Sequence, residues 1–69
     1  MKYAVIQAVN GAFTIVSEWD NVEKAIMNFH VVCSNLWNSA DVKSATVEVV
    51  NEKMNVVKVE YIEHNTQTV

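Results

Sequence analysis

Residues 2–17 have the sequence KYAVIQAVNGAFTIVS, and this stretch decides the fold. Two apolar segments rich in β-branched and aromatic residues flank Asn10-Gly11. That dipeptide is a strong signal for a β-hairpin because both residues tolerate the positive φ angles of a type I′ turn. The sequence therefore predicts two antiparallel strands, over residues 2–9 and 12–17.

The register of this hairpin sorts its side chains onto two faces of the sheet, because successive residues of a strand point to opposite sides. A two-residue turn pairs Val9 with Ala12 and, counting outward, Val5 with Val16. The apolar face is predicted to be the core face and carries Ala4, Ile6, Ala8, Phe13 and Ile15. The opposite, mixed face carries Tyr3, Val5, Gln7, Val9, Ala12, Thr14 and Val16.

After the hairpin, the apolar residues recur at the three-and-four spacing of an amphipathic helix. The apolar stripe consists of Val22, Ala25, Ile26, Phe29, Val32, Cys33, Leu36 and Trp37. Asp20 is predicted to cap the first turn in a capping box with Glu23, so the helix is expected over residues 20–38. Trp19 precedes the helix and is interpreted as an apolar staple on its first turns, with an exposed binding anchor as the alternative.

Residues 45–50 and 56–62 return to the alternating pattern of strands and predict a second hairpin. Its turn lies within residues 51–55 and contains no glycine, so a three-residue and a five-residue loop both remain open. Both loops give the same orientation of side chains. The predicted inward set is Ala45, Val47, Val49, Val57, Val59 and Tyr61, and the predicted outward set is Thr46, Glu48, Lys58 and Glu60.

These elements predict a ββαββ unit of the α+β class, a four-stranded antiparallel sheet with one helix packed on one face. Residues 1–63 are expected to form a single α+β domain and residues 64–69 a frayed C-terminal tail. A chain of 69 residues has room for one small core. A lone Cys33 allows no internal disulfide, which leaves oligomerisation as a source of additional stability.

The charge pattern argues against two classes of partner. The net charge is −3, with five lysines and no arginine. This composition disfavours direct nucleic-acid binding, because arginine supplies much of phosphate and base recognition. An acidic mimic of nucleic acid is a weaker hypothesis that rests on net charge alone. No apolar run approaches the ~18 residues that a membrane span needs, and Met1-Lys2-Tyr3 leads into a strand pattern rather than a signal peptide. We therefore expect no membrane association and a cytoplasmic location.

Two groups of side chains could carry chemistry. His30 and Cys33 lie three residues apart on the helix and could form a nucleophilic pair or bind zinc. Glu60, Glu63 and His64 could serve as an acid/base pair or as metal ligands. The first group is interpreted as structural, because Cys33 belongs to the apolar stripe. The second is interpreted as a solvated charge cluster, because the C-terminal end offers no cleft. With no recognisable catalytic or phosphate-binding motif, we expect neither enzymatic activity nor a cofactor or metal.

The sheet is expected to leave one face bare, because a helix ~10 Å across cannot cover four strands spanning ~19 Å, and the helix lies on the other side. This bare face is the predicted interface, with Tyr3, Val5, Val9, Val16 and Val56 as its candidate residues. A homodimer across a two-fold axis is expected, and Val5→Asp is expected to dissociate it. The predicted function is a dimeric protein-protein interaction or regulatory module. The alternative is a small-ligand binder with a pocket between helix and sheet or at the dimer seam.

One stretch runs from Met1-Lys2-Tyr3-Ala4-Val5-Ile6 through Phe29-His30 to Leu36-Trp37-Asn38. In this stretch the chain resembles short uncharacterised proteins of bacterial mobile elements. This resemblance implies no known activity and adds no site residues.

Overall fold

The computed structural model describes residues 2–64 and shows the predicted α+β fold. In chain order the elements are β1 (Tyr3–Val9), β2 (Ala12–Trp19), α1 (Val22–Trp37), β3 (Ser44–Asn51) and β4 (Val56–Glu63). The four strands form one antiparallel sheet in the order β2-β1-β3-β4. The predicted ββαββ arrangement is confirmed.

The first turn shapes one hairpin and also joins it to the next strand. Asn10 and Gly11 have φ angles of 49° and 92°, as a type I′ turn requires. The Asn10 side-chain oxygen accepts hydrogen bonds from the backbone N–H groups of Lys43 (3.1 Å) and Ser44 (3.3 Å). The turn thus holds the start of β3 beside the end of β1, where Val9 lies opposite Ala45.

The prediction of which face of the first hairpin packs against the core is wrong. Val5 is fully buried, and Tyr3 and Val9 pack against the core, which lies between α1 and the sheet. Phe13 and Ile15, which were expected inside, are exposed on the opposite face. The face that the sequence assigned to the core is therefore the bare one.

The connection between β2 and β3 explains this inversion. Both strands run antiparallel to β1, so they are parallel to each other, and α1 joins them across β1. Such crossovers are right-handed in about 98% of cases. Because the residues are L-amino acids and Val9 and Ala12 close the turn, the side chains of Val5 and Val9 lie on the face over which a right-handed crossover passes. The helix α1 therefore packs on that face. The hydrophobic pattern could not decide the side, because both faces of the hairpin are largely apolar.

A β-bulge changes the register of the first hairpin. Ile6 lies opposite Ile15 as predicted, but Val5 lies opposite Ser17, so Val16 is the extra residue on β2. The predicted pairing of Val5 with Val16 is therefore wrong. The bulge aligns Ser17 with the helix side of the sheet.

A second bulge reverses the predicted orientation of β4. The turn has a three-residue loop closed by a hydrogen bond from the Asn51 N–H to the Asn55 oxygen (3.0 Å), with Met54 at φ 66°. Val50 then lies opposite Val56, but Val49 lies opposite Lys58, so one extra residue stands between them.

The second bulge exchanges the two sets of side chains on β4. Lys58, Glu60 and Ile62 lie on the helix side, opposite residues of β3 that face the core, and Ile62 is buried. Val57, Val59 and Tyr61 are exposed, contrary to the prediction that they face inward. On β3 the prediction is confirmed, since Ala45, Val47 and Val49 are all buried.

The helix begins two residues later than expected and has a different cap. Asn21 is the N-cap, and its side-chain oxygen accepts from the N–H groups of Glu23 (2.7 Å) and Lys24 (3.2 Å). The predicted capping box from Asp20 is therefore wrong. The apolar stripe meets the sheet as predicted except at its last residue, since Trp37 is 47% exposed. The buried cluster comprises Val5, Ala25, Phe29, Val32, Cys33, Val42, Ala45, Val47, Val49 and Ile62.

The C-terminal end of the described chain is tied to the fold. His64, which was expected in the tail, donates its backbone N–H to the Lys43 oxygen at 3.1 Å. The remainder of the predicted tail, residues 65–69, lies outside the described residues.

Candidate functional site

The sheet face opposite α1, called the open face below, is a largely apolar surface of the molecule. It is built from alternate residues of all four strands, which the register places on one side. Its members, including the bulge residue of β4 and two glutamates near the ends of the edge strands, are Ala4, Ile6, Ala8, Phe13, Ile15, Glu18, Ser44, Thr46, Glu48, Val50, Val56, Val57, Val59, Tyr61 and Glu63. Phe13 and Tyr61 are 80% and 73% exposed, so two large aromatic side chains stand in solvent here.

One row across the open face has large residues at its ends and small ones between them. Phe13 lies opposite Ala8, Ala8 opposite Thr46, and Thr46 opposite Tyr61. The two aromatic residues therefore lie on the edge strands, and the small side chains of Ala8 and Thr46 lie between them on the two central strands. A hollow of about 340 Å³ includes all four residues in its lining. An apolar group from a partner can enter between the two rings.

The next row places a carboxylate within this apolar surface. Glu48 lies opposite Ile6 on one side and Val59 on the other, and it is half-buried. Within residues 2–64, no salt bridge of Glu48 is found. A carboxylate is costly to bury without a partner. An interface on this face must therefore leave water in contact with the Glu48 carboxylate.

The five residues predicted for the interface are divided by the structure. Tyr3 and Val9 pack against the core and Val5 belongs to it, so these three do not lie on the open face. Val16 and Val56 are exposed. A bare apolar face was predicted, but its central residues were assigned to the core. The signal that could have found them is the handedness of the crossover from β2 to β3.

The two groups of side chains that could carry chemistry do not assemble as the sequence suggested. Members of both groups form a different cluster. His30 is exposed and packs edge-on against the Phe29 ring, with centroids 5.3 Å apart, while Cys33 is buried. Across the helix–sheet boundary, Glu60 accepts a hydrogen bond from the Trp37 indole nitrogen at 2.8 Å. Glu60 also lies beside Cys33, so the charged neighbour of Cys33 is Glu60 and not His30.

The Cys33 environment suppresses thiolate chemistry. Burial raises the pKa of the Cys33 thiol from 9.0 to about 11, and the charge of Glu60 and a hydrogen bond to it add to this effect. A reactive cysteine needs the opposite, a lowered pKa and access to solvent. Cys33 is therefore suited to packing and not to nucleophilic attack.

His64 completes this cluster without making it a metal centre. Its ring lies 5.6 Å from the Trp37 ring, and its Nε2 atom is buried without a hydrogen-bond partner among the described residues. Within residues 2–64, no three side chains of the types that bind metals come together in a suitable group. The cluster joins the end of α1 to β4 and the chain that follows it.

We expect Cys33 in the native protein to react with iodoacetamide about a hundredfold more slowly than an ordinary thiol at about pH 8. The reason is that its thiolate fraction falls about tenfold for each unit by which the pKa exceeds 9.0. Labelling followed by mass spectrometry measures the rate, and the urea-unfolded protein is the control. Fast labelling of the native protein would contradict the buried environment.

The same pKa predicts how stability depends on pH. The pKa of the Cys33 thiol is about 11 in the folded state and 9.0 in the unfolded state, so the thiol ionises first in the unfolded protein. The contribution of the protonated thiol to the free energy of unfolding is complete below about pH 9 and is lost as the pH rises towards 11. Urea titrations across this range are expected to show a smaller decline for Cys33→Ala than for the wild type.

Comparisons with protein-family models, curated proteins and solved structures gave no match for this chain. In the part of the chain that the structure describes, no helix is both long and apolar enough to cross a membrane. The open face and the other surfaces of the chain are therefore the basis for proposing a function.

Proposed function

We propose that this chain is a small protein-protein interaction or regulatory module without catalytic activity, and that it forms a homodimer through the open face. The observation that supports this is the exposure of Phe13 and Tyr61 on a largely apolar sheet face that no element of residues 2–64 covers. Large exposed apolar patches on soluble proteins mark interaction sites more often than single exposed residues do.

The size of the open face suits a second copy of the chain. An aromatic side chain buries about 150–250 Å², so Phe13 and Tyr61 together offer on the order of 300 Å². A standard interface buries about 800 Å² on each partner. Ile15 and the exposed valines of β4 add to this area, on a face whose strands of seven or eight residues span roughly 19 by 26 Å.

A second copy is also the simplest partner in geometric terms. Two sheets can pack face to face about 10 Å apart, and identical copies related by a two-fold axis present the same patch to each other. A 69-residue chain has a small core, and a dimer adds a second apolar layer to it. We place the dimer in the cytoplasm, where a free thiol such as Cys33 stays reduced. Its outer helix surface is then free to contact a regulated protein.

Glu48 sets the character of this interface. Because an unpaired carboxylate is costly to desolvate, the two copies pack with water at Glu48 rather than sealing it in. The dimer is therefore of moderate affinity, and a change in the charge of Glu48 alters it.

Small-ligand binding at the dimer seam is the second candidate function. The hollow of about 340 Å³ between Phe13 and Tyr61 lies within the range of about 300–1,000 Å³ that is usual for ligand pockets. Between helix and sheet, by contrast, the buried side chains of Phe29 and Ile62 fill the space. A metabolite that raises the melting temperature of the dimer would favour this second function.

Sedimentation equilibrium tests the proposed dimer directly. At tens of micromolar protein we expect a particle with twice the chain mass of 7.8 kDa, and dissociation on dilution. A protein that stays monomeric across this range would refute self-association through the open face.

A further inference from the structure

A groove of about 430 Å³ runs along one flank of α1, away from the open face. Its lining consists of Trp19, Lys24, Met27, Asn28 and Val31. The four helix residues are spaced by three and four positions, which places them on one side of the helix. Met27 and Val31 are both exposed although they are apolar. The groove thus has an apolar lining that nothing in residues 2–64 covers.

A chain of hydrogen bonds fixes the wall of this groove. The Trp19 indole N–H donates to the Ser17 hydroxyl at 2.7 Å, and that hydroxyl donates to the Asn28 side-chain oxygen at 2.6 Å. The polar atom of Trp19 is therefore satisfied, and its ring is an apolar surface of the groove. The Asn28 oxygen is occupied as well, so the Asn28 amide nitrogen is left as the donor, with no partner found among the described residues.

Lys24 adds a positive charge to the same lining. Within the described chain, no carboxylate lies within ion-pair distance of its amine. Glu23 is the neighbour in sequence, but consecutive helix residues do not face each other. The groove therefore offers two hydrogen-bond donors, one of them cationic, and no acidic side chain. This chemistry is complementary to a negatively charged acceptor attached to an apolar body.

We propose that this groove binds small amphiphilic carboxylates, which combine an aromatic or branched aliphatic body with one carboxylate. The body packs against Trp19, Met27 and Val31, and the carboxylate meets the Lys24 amine and the Asn28 amide. The volume of about 430 Å³ is sufficient for such a ligand. The site lies on the helix side of the sheet, so it does not depend on the proposed dimer.

A matched pair of probes isolates the charge of the ligand. We would titrate the full chain with 4-phenylbutyrate and with its neutral amide, 4-phenylbutanamide, and follow the two indole N–H signals by NMR. Trp19 is the reporter, and Trp37, at the other end of α1, is the internal control. The wild type is expected to bind the acid up to about fivefold more tightly than the amide, as an exposed ion pair allows.

Substitution of Lys24 tests the proposed contact. In Lys24→Met the acid and the amide are expected to bind equally, whereas Lys53→Met, in the exposed turn between β3 and β4, keeps the preference. Three results would overturn the proposal: no saturable shift at Trp19 with either probe, an acid preference that survives in Lys24→Met, or shifts centred on Phe13 and Tyr61. Sedimentation of both variants is expected to match the wild type.

Discussion

Val5→Asp is expected to unfold the protein instead of dissociating a folded dimer. Val5 is 0% exposed and lies opposite Val49, which is also fully buried. A carboxylate at this position has no partner, and burying it costs several kcal/mol. A single core in so small a chain supplies only about 3–5 kcal/mol. Far-UV circular dichroism is expected to show the loss of helix and sheet.

Phe13→Asp is the matched control for this experiment. It introduces the same charge into the same hairpin, but at a side chain that is 80% exposed on the open face. Its circular dichroism and its cooperative unfolding are expected to resemble those of the wild type. If Val5→Asp were folded and Phe13→Asp unfolded, the assignment of the two sheet faces would be wrong.

Phe13→Asp is also expected to dissociate the proposed dimer. A large aromatic side chain that is buried at an interface contributes about 2 kcal/mol or more when it is removed. In a two-fold symmetric dimer the substitution is present in both chains, so the loss of binding free energy is doubled. The dissociation constant is therefore expected to rise about a thousandfold, since about 1.4 kcal/mol corresponds to a factor of ten. Sedimentation equilibrium over a range of concentrations measures this change.

Two further variants separate the open face from a general effect of charge. Thr14→Asp alters the next residue of the same strand, which is exposed on the helix side, and is expected to leave the dimer unchanged. Glu48→Gln removes the half-buried carboxylate of the open face and is expected to strengthen the dimer. Equal weakening by Thr14→Asp and Phe13→Asp would show that net charge, and not the open face, governs association.

The elements of the fold could be predicted from the sequence because each has a local cause. Asn10-Gly11 produces a type I′ turn wherever two strand-forming segments flank it. The helix follows from the spacing of residues such as Phe29 and Val32, which both face the core. Two hairpins and one helix then leave few arrangements with a buried core.

The orientation of the strands could not be predicted, because it has non-local causes. Val5 and Ile6 are equally apolar neighbours, and the crossover from β2 to β3 decides which of them is buried. The bulges at Val16 and Val57 each shift a register by one residue, and a shift of one residue exchanges the two faces of a strand. Neither bulge is marked by a glycine.

The candidate site was predicted as a surface but not as a set of residues. That one helix leaves a sheet face bare follows from the widths of the two elements. That Phe13 and Tyr61 stand on it depends on the inverted sidedness and on the bulge at Val57. The contact between Cys33 and Glu60 has the same origin, because the bulge turns Glu60 towards the helix.

Intermolecular NOEs in a mixture of isotopically labelled and unlabelled chains test the central claim most directly. If two copies pack through the open face, NOEs between chains join the rings of Phe13 and Tyr61 to the methyl groups of Ile15 and Val59. NOEs between chains that involve Met27 and Val31 instead, or none in a sample shown to be dimeric, would contradict this account.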